Sequence, residues 1–154
     1  GAAPTALALW RAVAARETGI EAWVEIHALA SETGDAPLAT RAAALVEGLA
    51  RLDGAQGGRD RRSVLRFRAA RGEWPEAHAL ALADLAERPD VYADAQLAWT
   101  AAAVGELALA RAHAERALRL GTVDPLLRWQ VGNALLVVGD ARGAPLVAAA
   151  RVAR

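Results

Sequence analysis

With 154 residues, no cysteine and no lysine, and with 18 arginines set against 18 acidic residues, the chain carries no net charge at neutral pH. That balance excludes a global positive field of the kind that recruits nucleic acid or an anionic membrane, and the missing cysteines exclude disulfides, cysteine-ligated metal and thiol chemistry. A hydrophobic fraction of 55%, much of it alanine, excludes disorder and favours closely packed helices over a voluminous core.

Tyrosine and phenylalanine occur once each and no alternating apolar pattern persists, so no sheet is expected. The lack of lysine beside an excess of alanine reads as a GC-rich bacterial coding bias, the alternative being selection for bidentate anion contacts by arginine. The chain begins at Gly1 rather than Met and shows no leader pattern and no long uncharged apolar span. It reads as a mature exported protein, a slice of a longer array, or a recombinant piece with Gly1 as a scar.

In chain order, Pro4 to Arg16 forms the first predicted helix, with Leu7, Leu9, Trp10 and Val13 apolar. Residues 1–18 are read as half of a truncated repeat, and residues 19–154 as a repeat domain. Glycines then recur at Gly34, Gly72, Gly105 and Gly139, spaced 38, 33 and 34 residues apart. Each is followed by alanine five residues later (Ala39, Ala77, Ala110, Ala144) and nine residues later (Ala43, Ala81, Ala114, Ala148). Alanines at that spacing share one helical face and let helices approach closely, while the glycine permits the turn between them.

Each glycine therefore centres a helix hairpin. The first pairs Ile20 to Glu32 with Ala36 to Leu52, and Asp53-Gly-Ala-Gln-Gly-Gly58 is a long loop to the next. The second pairs Arg59 to Arg71 with Trp74 to Arg88, the third Val91 to Val104 with Leu107 to Leu120, and the fourth Pro125 to Val138 with Ala141 to Arg154. The approximate repeats are 20–53, 58–90, 91–124 and 125–154. Pro37, Pro75 and Pro145 lie near second-helix starts, where a missing N–H costs little, and Pro89 and Pro125 mark junctions. A hairpin of this size cannot bury its apolar face alone and stacks on its neighbours.

The pattern resembles the tetratricopeptide repeat, a unit of about 34 residues. Leu97 and Ala98, then Ala110, Ala114, Ala117 and Leu118, fall on the family's positions, as do Val131, Gly132 and Leu135. The second hairpin matches in its back half, Gly72 to Pro89, and the first through Trp23, Ile26, Gly34 and Ala39. Arg61, Arg68 and Glu47 depart from it, standing where the family is apolar or aromatic. The resemblance implies an all-α, right-handed solenoid of about four hairpins preceded by one extra helix, with the first helix of each repeat lining a concave groove.

Projected onto those positions, the groove carries Glu21, Val24, Glu25 and Ala28, then Arg59, Arg62, Ser63 and Arg66. Tyr92, Gln96 and Trp99 follow from the third hairpin, and Trp129, Gln130 and Asn133 from the fourth. Guanidinium forks for carboxylates, amides for peptide backbone and indoles for apolar area suit an extended peptide. Arg62, Arg66 and Asn133 match the basic and Asn residues with which some members of the family hold a terminal carboxylate. The structural alternative is a solvated polar face on a spacer, with Trp99 and Trp129 packed between helices.

No catalytic constellation is evident. Ser31 and Ser63 lack a nucleophile context, and His27, His78 and His113 have no metal-binding spacing and are expected to pack or face solvent. The Gly54 to Arg59 run lacks the lysine of a phosphate loop, and Glu21 with Glu25 reads as a solvated face. The expected function is a non-enzymatic scaffold without cofactor or metal, binding a protein or peptide that offers acidic groups or a terminal carboxylate, with no nucleic acid and no membrane insertion. Two narrower readings stand beside it. One is a periplasmic assembly scaffold in polysaccharide export or cytochrome maturation, and the other a regulatory or sensor module of a larger bacterial regulator.

Overall fold

A computed structural model describes residues 2–16, 19–55, 57, 58 and 60–152. These are helical with no strand among them, and they form two compact units, Gly1–Gly72 and Glu73–Arg154. The first unit holds α1 (Ala2–Ala14), α2 (Ile20–Thr33), α3 (Ala36–Ala55) and α4 (Arg61–Ala70). The second holds α5 (Trp74–Glu87), α6 (Val91–Ala103), α7 (Leu107–Leu118), α8 (Pro125–Val137) and α9 (Gly143–Val152). Every expected helix is present, starting and stopping within a turn of its expected limits.

The hairpin glycines close the first helices as expected. Gly34, Gly105 and Gly139 take left-handed φ values of 76°, 87° and 75°, open only to glycine at low cost. The next N–H reaches back five residues in each case: Asp35 donates to the Ala30 carbonyl, Glu106 to Ala101 and Asp140 to Leu135, all at 2.8 Å. Otherwise orphaned carbonyls at the helix end are thereby satisfied. Starts are fixed by aspartates: Asp35 accepts from the Leu38 N–H, Asp90 from Tyr92 and Ala93, and Asp124 from Leu127.

One expected loop is half helix. The helix that begins at Ala36 runs on through Asp53 and Gly54 to Ala55, because nothing before Gly57 forces a positive φ. Only there, at φ 103°, does it close, with the Gly58 N–H donating to the Asp53 carbonyl at 2.8 Å.

In the first unit α2 packs on α1, α3 and α4. Leu7, Ile26 and Ala42 are buried, with Trp10, Trp23, Leu29 and Leu38 packed over them. Leu65 and Phe67 of α4 are fully buried, which contributes on the order of 2 kcal/mol each. His27 ties this unit together, donating from Nδ1 to the Ala39 carbonyl at 3.0 Å and meeting the Phe67 ring edge-on at 5.1 Å.

In the second unit α6 packs on α5, α7 and α8, and α8 packs on α9. Its core is mostly alanine: Ala98, Ala101, Ala110, Ala114 and Ala117 are fully buried beside Leu127, Val131 and Leu135. Gly132 and Gly143 let α8 and α9 touch backbone to backbone. A Cβ on Gly143 would lie 2.6 Å from the Gly132 carbonyl oxygen and 2.8 Å from the Leu136 nitrogen.

The alanine repeat is only partly a core pattern. Ala77, Ala81, Ala110 and Ala114 are buried and Ala39 and Ala43 half-buried, but Ala144 and Ala148 of α9 are exposed. The close approach at Gly132 rotates α9, so Gly143, Val147 and Ala150 turn inward in their place. No helix among the described residues is long and apolar enough to cross a membrane.

Candidate functional site

Most of α6 is enclosed by its neighbours, leaving Tyr92, Trp99 and Ala103 as its accessible stripe. Those residues are seven and four positions apart, one face of a helix. Helix α8 lies against α6 and adds Leu126, Trp129 and Asn133, half-buried, and Leu136 and Val137, exposed. Three indoles join edge to face across this region: Trp74 meets Trp99 at 5.3 Å between centroids, and Trp99 meets Trp129 at 5.1 Å. Such contacts hold the rings in defined orientations. Tyr92 is 41% exposed at one end.

Gln96 and Gln130 do not line an open surface, contrary to expectation. They are 4% and 2% exposed, because each faces the neighbouring helices rather than the outer stripe. Gln96 Oε1 and Gln130 Nε2 are buried without a hydrogen-bond partner, an arrangement that costs about 1–3 kcal/mol per group. Asn133 spends an amide proton on its own helix, donating to the Trp129 carbonyl at 2.7 Å.

The arginines behave differently from a carboxylate clamp. Arg66 donates to Glu25 at 2.7 Å and to Glu21 at 3.3 Å, so the acidic pair on α2, with Glu25 half-buried and Glu21 exposed, is also the counter-charge of α4. With its side chain 18% exposed and two carboxylates beside it, Arg66 has no open fork for an incoming one. Arg62 is half-buried and engaged within its own surroundings. Ser63 is buried, and Arg59 lies outside the described residues.

Two pairings join residues that spacing along a single helix does not connect. Glu47 and Arg68, each a departure from an apolar repeat position, meet one another through a bidentate bond at 2.6 and 2.7 Å between α3 and α4. Asp94 and His113, 19 residues apart, form a buried pair with Nδ1–H donating to Oδ1 at 2.7 Å. The signal for both was their placement on facing helices of one fold unit, which a search for spacing along a single helix does not test.

His78 is also polar-bonded. The Thr100 hydroxyl donates to the Gln96 carbonyl, leaving its oxygen to accept from His78 Nδ1 at 3.2 Å. At the outer edge of the second unit Arg142 holds both Asp140 and Glu115. Hydrogen bonds from Arg142 bring the Asp140 carboxyl down to about 2 and lower Glu115 as well. This is a clasp between α7 and the turn before α9. Among the described residues no group of three His, Cys, Asp or Glu converges as a metal site would. Comparison with family models, curated proteins and solved structures finds no match, so the reading of this chain rests on its own residues.

Proposed function

We propose that the chain is a tetratricopeptide-like helical solenoid acting as a non-enzymatic scaffold, and that it holds an extended peptide along the α6–α8 face. Support for the architecture comes from the packing order in each unit, where a first helix touches its own second helix and the next first helix. The left-handed glycine closures at Gly34, Gly105 and Gly139 support it further.

The observation that carries the binding reading is the ladder of Trp74, Trp99 and Trp129 beside exposed Tyr92, Leu136 and Val137. Oriented aromatics on a rigid face provide apolar area at small entropic cost. With Arg66 neutralised by Glu25 and Glu21, the partner is an apolar or aromatic segment rather than an acidic one. Selection from a displayed random-peptide library on the whole chain tests this. Enriched peptides should carry aromatic or aliphatic residues, quench tryptophan fluorescence, and bind at least tenfold more weakly to W99A or Y92A, while R62A/R66A binds as the parent does. Enrichment of acidic peptides lost in R62A/R66A, or no enrichment at all, rejects the reading.

A further inference from the structure

A second site, separate from the indole face, lies in the third hairpin. A recess of about 410 Å³ is lined by Leu85 of α5, Pro89 of the following loop, Asp94 of α6, and Arg116 and Arg119 at the end of α7. It is open rather than an enclosed cavity, and its volume is toward the lower end of small-molecule sites.

Repetition makes the site conspicuous. Counted from the hairpin glycines, the positions of Asp94 and His113 hold Trp23 and Ala42 in the first hairpin and Arg128 and Val147 in the fourth. Arg116 and Arg119 likewise replace Leu45 and Gly48 of the first hairpin. Folding the hairpin therefore does not call for these groups. At the positions of Asp94 and His113 the second hairpin holds Arg61 and Leu80, so the carboxylate–imidazole pair occurs in the third hairpin alone, and its burial carries a desolvation cost.

The charges decide what fits. Asp94, 7% exposed, gives Oδ1 to His113 and still lines the recess. Among the described residues no ion pair engages Arg116 or Arg119, and none joins either to Asp94. A simple anion drawn by the guanidiniums meets a carboxylate at the wall, and a simple cation drawn by Asp94 meets two guanidiniums. A molecule bearing both charges close together meets both. Leu85 and Pro89 supply an apolar wall for what lies beside those charges.

We infer that this recess binds a free α-amino acid with an aliphatic side chain. Its carboxylate sits at Arg116 and Arg119, its ammonium at Asp94, and its side chain against Leu85 and Pro89. His113 acts as a positioning residue that fixes the Asp94 carboxylate. The inference does not depend on peptide binding at α6–α8.

Calorimetric titration of the whole chain with L-leucine, N-acetyl-L-leucine and L-leucinamide tests it. Leucine should bind, and removing either charge should weaken binding at least tenfold. R116Q/R119Q, on an accessible part of α7, should lose leucine at least tenfold while circular dichroism is unchanged. D94N should weaken leucine but leave the already poor binding of N-acetyl-leucine unaltered. Equal binding of leucine and N-acetyl-leucine, undiminished leucine binding by R116Q/R119Q, or no heat with leucine at millimolar concentration each overturns the assignment.

Discussion

The two units build similar helix pairs with different proportions of charge and close packing. In the first, helices are joined by charge: Arg66 to Glu25 and Glu21 between α4 and α2, Arg68 to Glu47 between α4 and α3, and Arg11 to Asp35 near α3. In the second, alanines and glycines bring backbones together, His78–Thr100 and Asp94–His113 are buried polar contacts, and exposed charge is concentrated at the end of α8, where Arg142 joins Glu115 to Asp140 and Arg111 lies beside them. Arginine at interhelical positions tolerates wider spacing because it bridges with a long fork. Alanine demands contact. Repetition along a chain thus specifies the hairpin but leaves its glue open to substitution, provided that partners change together.

The largest effect that tests this contrast comes from adding one carbon to each unit. Gly143→Ala should destabilise the second unit by about 3 kcal/mol, since its Cβ lands against backbone that cannot yield. Gly48→Ala in α3, with open space around it, should instead stabilise by about 0.5–1 kcal/mol. Urea denaturation of both variants measures the difference, and equal effects would dissolve the distinction.

Next in size is the half-buried charge pair. Glu47→Ala removes both of the bonds that Arg68 makes to Glu47 and should cost about 1–2 kcal/mol. Replacing both residues by leucine should restore stability to within about 1 kcal/mol of the parent, because the pair stands where apolar packing also works. A double-mutant cycle showing no coupling would remove Glu47–Arg68 from the account.

Salt separates the units more gently. Raising ionic strength to about 1 M shortens the screening length to about 3 Å and should lower amide protection in α2 to α4 by about 1 kcal/mol or less, while α6, which takes no part in the Arg142 clasp, holds its own. Hydrogen exchange read residue by residue would show a uniform response if the contrast is wrong.

The smallest effect is a pH dependence of opposite sign. Asp140, brought to about 2, and the lowered Glu115 favour the folded second unit above the ordinary carboxylate range; that contribution fades as pH falls through their folded values. Asp60 is raised by burial and by the carboxylates of Asp53 and Glu21. Its protonated form favours folding, so its contribution is present at low pH and lost as pH rises through the raised value. Carboxyl titration by NMR in the parent and in Arg142→Gln checks both directions, the variant returning Asp140 toward its usual value.

Helix limits were legible because glycine, proline and aspartate punctuate them chemically, and each acts through its own backbone within a few residues. Side-chain partners were not. Arg66 and Gln96 each occupy a first-helix position that a projection treats as open, yet whether such a position is open depends on what the adjacent helix presents there. Glu25 and Glu21 claim the first, and the crowding of α6 by three helices encloses the second. Helix α9 went wrong for the same reason. Its alanines kept their spacing, but a contact at Gly132, set by α8, chose a different face.

The recurring glycine closures carry a further implication for how such a chain grows or shrinks. At Gly34, Gly105 and Gly139 the backbone of the bend is closed by hydrogen bonds among its own few residues, and at Gly139 Arg111 of α7 adds one to the Val138 carbonyl. Joints of that sort are modular, so whole hairpins are the natural currency of duplication or deletion, and lineages should differ by complete pairs rather than by single helices.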